Sequence, residues 1–146
     1  IHASVMAAIF ATMPSLTVHL VLWDHRVVDM SHQVTDPLAV LMGTQLGGGT
    51  RLVPALRYCG GLITEPERTV LVVISDFYVF GEADTALTVA KELVEAGVRG
   101  LGLCALDTTG QAVYDETFAR RLAAQGWQVA ALTPRKLAEH VAALIR

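Results

Sequence analysis

Short apolar runs alternate with longer amphipathic segments along the chain. Residues 69–75 form a continuous apolar run and 98–106 form a second one, a pattern typical of parallel strands buried on both faces. The segment 83–96 instead repeats its apolar residues at helical spacing and ends at Gly97, a residue favoured where a helix stops. The pattern therefore predicts a layered α/β domain in which strands and helices alternate.

The predicted order of elements is α-β-β-α-α-β-α-β-α-β-α. Helices are expected over residues 1–12, 37–45, 51–62, 83–96 and 116–125, and from 134 onward. Strands are expected over residues 16–23, 26–30, 69–75, 98–106 and 127–132, the first two as a hairpin. Since no repeat, low-complexity tract or linker interrupts this order, residues 1–146 are expected to form one domain. The predicted fold is a Rossmann-like, doubly wound, mostly parallel sheet flanked by helices.

The front of this order lacks one element. A doubly wound sheet is built from strand-then-helix units, whereas this chain starts at Ile1 with a predicted helix that no strand precedes. We therefore expect the chain to be truncated at its amino end and to be the C-terminal part of a longer polypeptide. Without that strand, a sheet edge would stay unpaired unless another segment fills the position.

Composition removes several classes of function. The net charge is −3, and no cluster of Lys and Arg offers the positive surface that nucleic acids require. No apolar run approaches the length of about 20 residues that crosses a bilayer. Cys59 and Cys104 lie far apart within apolar stretches, so they are expected to be free, buried thiols in a reducing compartment, here the cytoplasm.

Two segments could carry chemistry. Asp76 follows the predicted central strand, and ligand sites of open α/β sheets gather at such carboxyl ends, where a carboxylate is a hard oxygen donor for Mg²⁺. Three glycines precede Thr50, which opens a predicted helix. A phosphate-binding loop, however, needs Lys followed by Ser or Thr after its last glycine, and here Thr50 follows the last glycine and Arg51 comes next. Structural roles remain open for both residues, with Thr50 as a helix N-cap and Asp76 as a cap of its own loop. Ser75 lacks the flanking glycines of a hydrolase nucleophile.

Taken together, Gly48-Gly49-Thr50 and the segment VVISDF at 72–77 resemble the von Willebrand factor type A (VWA) domains. The closest likeness is to the bacterial intracellular group of CoxE-like proteins and partners of MoxR-type AAA+ ATPases. Three later segments are also similar to that group, namely 96–99, Gly102-Leu103 and Tyr114-Asp115.

The resemblance implies a metal-ion-dependent adhesion site (MIDAS). Thr50 and Asp76 would then be ligands of Mg²⁺ or Mn²⁺, directly or through water, and a carboxylate from a partner protein would complete the metal's coordination. In the family a D-x-S-x-S motif supplies further ligands just before the first helix, and that motif occurs nowhere in this sequence. The missing motif and the missing strand indicate the same absent segment. Thr50 and Asp76 alone would bind a metal weakly.

The function expected from this resemblance is a non-enzymatic, Mg²⁺-assisted protein-interaction domain in the cytoplasm. Its expected partner is a MoxR-type AAA+ ATPase, for which the domain would serve as an adaptor. Two alternatives stay open. One is a small Rossmann-like, metal-dependent hydrolase or phosphotransferase that uses Asp76, and the other is a scaffold with a degenerate metal site.

Overall fold

The computed structural model describes residues 17–23, 26–33, 51–79, 81–104, 114–131, 139, 142 and 143. Their strands are β1 (Val21–Trp23), β2 (Val27–Asp29), β3 (Val70–Ser75), β4 (Arg99–Cys104) and β5 (Gln128–Ala130). Their helices are α1 (Leu52–Leu62), α2 (Ala83–Glu95) and α3 (Glu116–Ala124), with short 3-10 turns at Ser31–Gln33 and Pro66–Arg68. The order of these elements agrees with the order predicted for this part of the chain.

In the described ranges, three parallel strands form one sheet in the order β3-β4-β5. β3 and β4 pair over six residues, from Val70 opposite Arg99 to Ser75 opposite Cys104. β5 continues the sheet on the other side of β4, with Leu101 opposite Gln128. α2 connects the first two strands and α3 lies between the last two, as parallel strands require of their connections. The predicted α/β class and parallel sheet are thus confirmed.

The two faces of this sheet pack differently. Leu71, Val73 and Val129 join a core cluster that all three helices share. Leu101 and Leu103, each 1% exposed, form the centre of the opposite face. The two sets of residues alternate because successive side chains of a strand point to opposite faces of the sheet. Since β3 contributes apolar side chains to both faces, its sequence is a continuous apolar run.

On the face that the helices cover, the Trp127 ring comes unusually close to Gly100 of β4. A Cβ atom at that position would overlap ring atoms of Trp127. The Trp127 ring is 4% exposed, and its Nε1 donates a hydrogen bond to the carbonyl oxygen of Ala90 in α2 at 3.0 Å. Gly100 therefore lets one aromatic ring fill the space between the sheet and α2.

A separate antiparallel hairpin packs against α1. β1 and β2 pair from Val21 opposite Asp29 to Trp23 opposite Val27, which confirms the predicted hairpin with shorter strands. α1 contacts both hairpin strands and also α2, so it links the hairpin to the parallel sheet.

The observed elements end close to the predicted positions. Gly97 and Gly126 adopt positive φ angles of 112° and 96°, as expected of residues that end helices. The strand predicted from residue 127 begins instead at Gln128, and the Trp127 side chain just before it is buried. Residues 139, 142 and 143 are helical, in agreement with the last predicted helix. The predictions for helices 1–12 and 37–45 lie outside the described residues.

Within the described ranges, no helix has the length and apolarity needed to cross a bilayer. Both cysteines are free thiols; Cys104 is buried, as predicted, while Cys59 is half-buried. Burial raises the pKa of the Cys59 thiol to about 11 and also raises the pKa of Cys104.

Candidate functional site

The candidate site lies at the carboxyl edge of the parallel sheet. Asp76 directly follows β3, and its side chain is exposed. Ser75 stands opposite Cys104, so β3 and β4 end side by side at this edge. The structure therefore places Asp76 at the carboxyl end of a parallel strand, as predicted. In the described sheet, however, β3 is an outer strand and β4 is the central one, so the prediction of a central strand does not hold for these residues.

The backbone after β3 turns sharply at Phe77, which has a φ angle of +60°. Only a few per cent of residues other than glycine adopt this left-handed region, and bulky side chains adopt it less readily still. The Phe77 ring is fully buried and stacks on Phe118 of α3, with the ring centroids 5.8 Å apart and the planes at 22°. Its neighbours Asp76 and Tyr78 both remain exposed, Tyr78 at 41%. The buried ring thus anchors a turn whose flanking side chains face solvent.

Three hydrogen bonds fix this turn, which we call the 75–78 turn. The Ser75 hydroxyl oxygen accepts from the Phe77 amide at 3.0 Å, and Asp76 Oδ1 accepts from the Tyr78 amide at 3.1 Å. The Asp76 carbonyl oxygen accepts from the Asp115 amide at 2.8 Å. Among the described residues, no group donates a hydrogen bond to Asp76 Oδ2. The turn therefore fixes one carboxylate oxygen, while the other has no hydrogen-bond donor in the described part of the chain.

Asp115 connects this turn to α3. It precedes the first residue of the helix, and its side chain accepts a hydrogen bond from the Phe118 amide at 3.1 Å, so it is the N-cap of α3. The predicted helix also begins at Glu116, but the cap at Asp115 was not predicted. The signal was present, because Asp immediately before a helical segment is a common N-cap.

A second link at this edge joins Arg51 to Glu82. Nη2 of Arg51 lies 2.8 Å and Nε lies 3.2 Å from Oε1 of Glu82. Arg51 directly precedes α1 and follows Thr50 in sequence, while Glu82 directly precedes α2. The ion pair therefore holds the amino ends of α1 and α2 side by side.

The structure describes only one of the two predicted metal ligands. Asp76 occupies the expected position, whereas Thr50 lies outside the described residues. The described part of the chain contains no cluster of three or more His, Cys, Asp or Glu side chains able to hold a metal ion. Asp76 Oδ2 fits Mg²⁺ as one hard oxygen ligand, and the described residues offer it no competing hydrogen-bond donor.

A second polar cluster lies away from this edge, between the hairpin and α1. Asp29 accepts hydrogen bonds from the Ser31 hydroxyl and, at 2.6 Å, from the Tyr58 hydroxyl of α1. These bonds, first the one from Ser31 and then the one from Tyr58, lower the pKa of Asp29 below its ordinary value. The same contact with Asp29 raises the pKa of Tyr58. This cluster satisfies its own polar groups and attaches the hairpin to the helix.

A parallel sheet flanked by helices is the architecture of VWA domains. Residues 1–141 match the sequence model of the family described as "VWA domain containing CoxE-like protein", and the chain belongs to this family. VWA domains are a family of protein-interaction domains.

Among known proteins, the chain is similar to "Uncharacterized protein YehP" of Escherichia coli strain K12, with 42% identity over 142 residues. The match covers 97% of this chain and 38% of YehP, so the chain spans well under half the length of that relative.

Two solved structures share the fold at 14% sequence identity. One is an aerotolerance-related membrane protein from Bacteroides fragilis with multiple mutations to serine, with a TM-score of 0.72 over 98% of this chain and 85% of that one. The other is the conserved hypothetical protein BatB from Bacteroides thetaiotaomicron, with a TM-score of 0.63 over 96% of this chain and 84% of that one.

Proposed function

We propose that the chain is a non-enzymatic protein-interaction domain that uses the carboxyl edge of its parallel sheet, with a divalent metal ion at Asp76, to bind a partner. The observation that carries this proposal is the 75–78 turn. It exposes the Asp76 carboxylate, fixes Oδ1 by the Tyr78 amide and leaves Oδ2 without a hydrogen-bond donor among the described residues.

The chemistry of such a site needs few protein groups. Asp76 supplies an anionic oxygen, and by resemblance to other VWA domains Thr50 supplies a hydroxyl oxygen. Mg²⁺ or Mn²⁺, when bound, offers its remaining positions to a hard oxygen from outside, because Mg²⁺ commonly keeps several exchangeable waters. A carboxylate on the partner protein is therefore the group that this edge would recognise.

The proposed partner is a MoxR-type AAA+ ATPase, for which the domain acts as an adaptor in the cytoplasm. Membership of the CoxE-like family and the resemblance to partners of such ATPases support this assignment. We expect the purified chain to co-elute with a MoxR-type ATPase of the same genome when Mg²⁺ is present and to elute separately in EDTA. Elution that is the same in both buffers would contradict a metal-assisted contact.

Titration calorimetry with Mg²⁺ and Mn²⁺ tests the metal site itself. We expect Asp76→Ala and Thr50→Ala to weaken binding strongly, since each removes an oxygen ligand. Glu92→Gln is the matched control, because Glu92 is an exposed carboxylate towards the far end of α2 and its loss should leave affinity unchanged. Equal affinities for the wild-type chain and Asp76→Ala would exclude Asp76 as a ligand. Turnover of a phosphoester that Asp76→Ala abolishes would indicate a hydrolase instead.

A further inference from the structure

The main chain of Asp76 is held from outside its own loop. Its main-chain carbonyl oxygen accepts from the Asp115 amide at 2.8 Å, and the next residue, Phe77, stacks on Phe118. Asp115 and Phe118 both belong to the amino end of α3, where the Asp115 side chain also caps the Phe118 amide. The two contacts on the 75–78 turn and the helix cap therefore form one connected unit.

These contacts have a specific conformational consequence. The positive φ angle of Phe77 is costly for an aromatic residue and persists only where the surroundings impose it. Here the fully buried ring between the sheet and α3 imposes it, and the same backbone geometry keeps Asp76 and Tyr78 exposed. If the ring lost its partner, the backbone could relax to an ordinary φ angle, and the direction of the Asp76 side chain would change with it.

We propose that Asp115 and Phe118, at the start of α3, are positioning residues for Asp76: they hold the 75–78 turn in the conformation that presents its carboxylate to a ligand. This inference rests on the proposed function in so far as the ligand is a divalent metal. Residues that orient a metal ligand without contacting the metal commonly change its affinity by roughly 10- to 100-fold when they are replaced.

Hydrogen exchange without metal tests the positioning directly. The amides of Phe77 and Tyr78 are hydrogen-bonded within the turn, so they should exchange slowly in the wild-type chain. Phe118→Leu removes the stacked ring and Asp115→Ala removes the cap, and each should accelerate exchange at these two amides by ~10-fold or more. Asp115→Asn should restore slow exchange, because its amide oxygen still caps α3. Leu122→Val is the matched control, since it trims another buried side chain of α3 that takes no part in the stack.

Mn²⁺ titration of the same variants links the turn to the ligand. We expect Phe118→Leu and Asp115→Ala to weaken Mn²⁺ binding by ~10-fold, with Asp115→Asn and Leu122→Val close to the wild-type chain. If exchange at Phe77 and Tyr78 is unchanged in Phe118→Leu and Asp115→Ala, the inference is overturned whatever the titration gives. If Asp115→Asn loses affinity as fully as Asp115→Ala while exchange stays slow, Asp115 acts through its charge, which also overturns it. If exchange responds as expected but the wild-type chain binds no Mn²⁺, the proposed function fails and the positioning of Asp76 stands.

Discussion

The two sheets of this domain are attached to their helices by different kinds of contact. The parallel sheet is attached by apolar packing, and all five β4 residues after Arg99 are buried. No residue of β1 or β2 is fully buried, and a charged group, Asp29, bonds the hairpin to Tyr58 of α1. Trp23 is the hairpin's main apolar contact with the shared core.

The two kinds of contact should respond differently to pH. Apolar packing is insensitive to pH, whereas a hydrogen bond to a carboxylate is lost when that carboxylate is protonated. The 75–78 turn belongs to the parallel sheet, and Phe77 anchors it within the shared core. The site thus belongs to the region that apolar packing holds, and the hairpin contributes stability that changes with pH.

The largest expected effect tests the packing of the parallel sheet. Gly100→Ala should destabilise the domain by about 3 kcal/mol, because the added methyl group overlaps the Trp127 ring and neither the sheet nor α2 can withdraw easily. Urea unfolding followed by tryptophan fluorescence measures the change.

Gly61→Ala provides the control for that substitution. Gly61 lies in α1, and a Cβ atom there would meet no atom of the described residues within 4 Å. Alanine should therefore stabilise the helix by up to about 1 kcal/mol. If the two substitutions had equal effects, close packing at Gly100 would not be what holds the parallel sheet.

The next effect concerns the cap that joins the site to α3. Asp115→Ala should lower the free energy of unfolding by about 1 kcal/mol, because the Phe118 amide loses its acceptor. Asp115→Asn should lower the free energy of unfolding much less, since Asn is an equally good N-cap. If thermal or urea unfolding showed the same loss of stability for Asp115→Ala and Asp115→Asn, the charge of Asp115, and not capping, would give it its role.

A smaller effect depends on pH and belongs to the hairpin. The pKa of Asp29 in the folded chain is lowered, so its contribution to stability is complete above the ordinary value of 3.8 and is lost as pH falls through the folded value. Tyr58→Phe removes one of the two hydroxyl donors and should move the pKa of Asp29 upward. A carbon-13 titration of the Asp29 carboxyl group measures this shift, and an unchanged pKa would contradict the contact.

The smallest effect concerns the reactivity of the Cys59 thiol. Because burial, followed by the charge of Asp29, raises the pKa of Cys59 from 9.0 to about 11, the folded chain has roughly 100-fold less thiolate at this position near pH 8 than an ordinary cysteine would. Iodoacetamide should therefore alkylate Cys59 slowly when the chain is folded and at an ordinary rate in urea. Equal rates in the two conditions would indicate that the contact between α1 and the hairpin opens readily.

Much of the parallel sheet was predictable because its signals are local. The apolar run of β3, the periodicity of α2 and the helix-ending role of Gly97 each depend on neighbouring residues. The position of Asp76 follows from the same pattern, since it is the first polar residue beyond Ser75 at the end of a buried strand.

The conformation of the site was not predictable because its causes are distant in sequence. Phe77 adopts a positive φ angle because its ring meets Phe118, and the Asp76 carbonyl is held by the Asp115 amide. Likewise, nothing near Gly100 in the sequence shows that Trp127 will cover it. Periodicity reports that a residue is buried, and only the fold determines which residue it meets.

Paramagnetic broadening by Mn²⁺ tests the central claim most directly, because it locates the metal on the fold. With substoichiometric Mn²⁺ we expect the amide signals of Asp76, Phe77, Tyr78 and Asp115 to broaden strongly at the carboxyl edge of the parallel sheet. The signals of Val70, Arg99 and Gln128, at the opposite ends of the same strands, should stay sharp, and Asp76→Ala should abolish the difference. Broadening centred on Asp29 and Tyr58, or spread evenly over the chain, would contradict a metal site at Asp76.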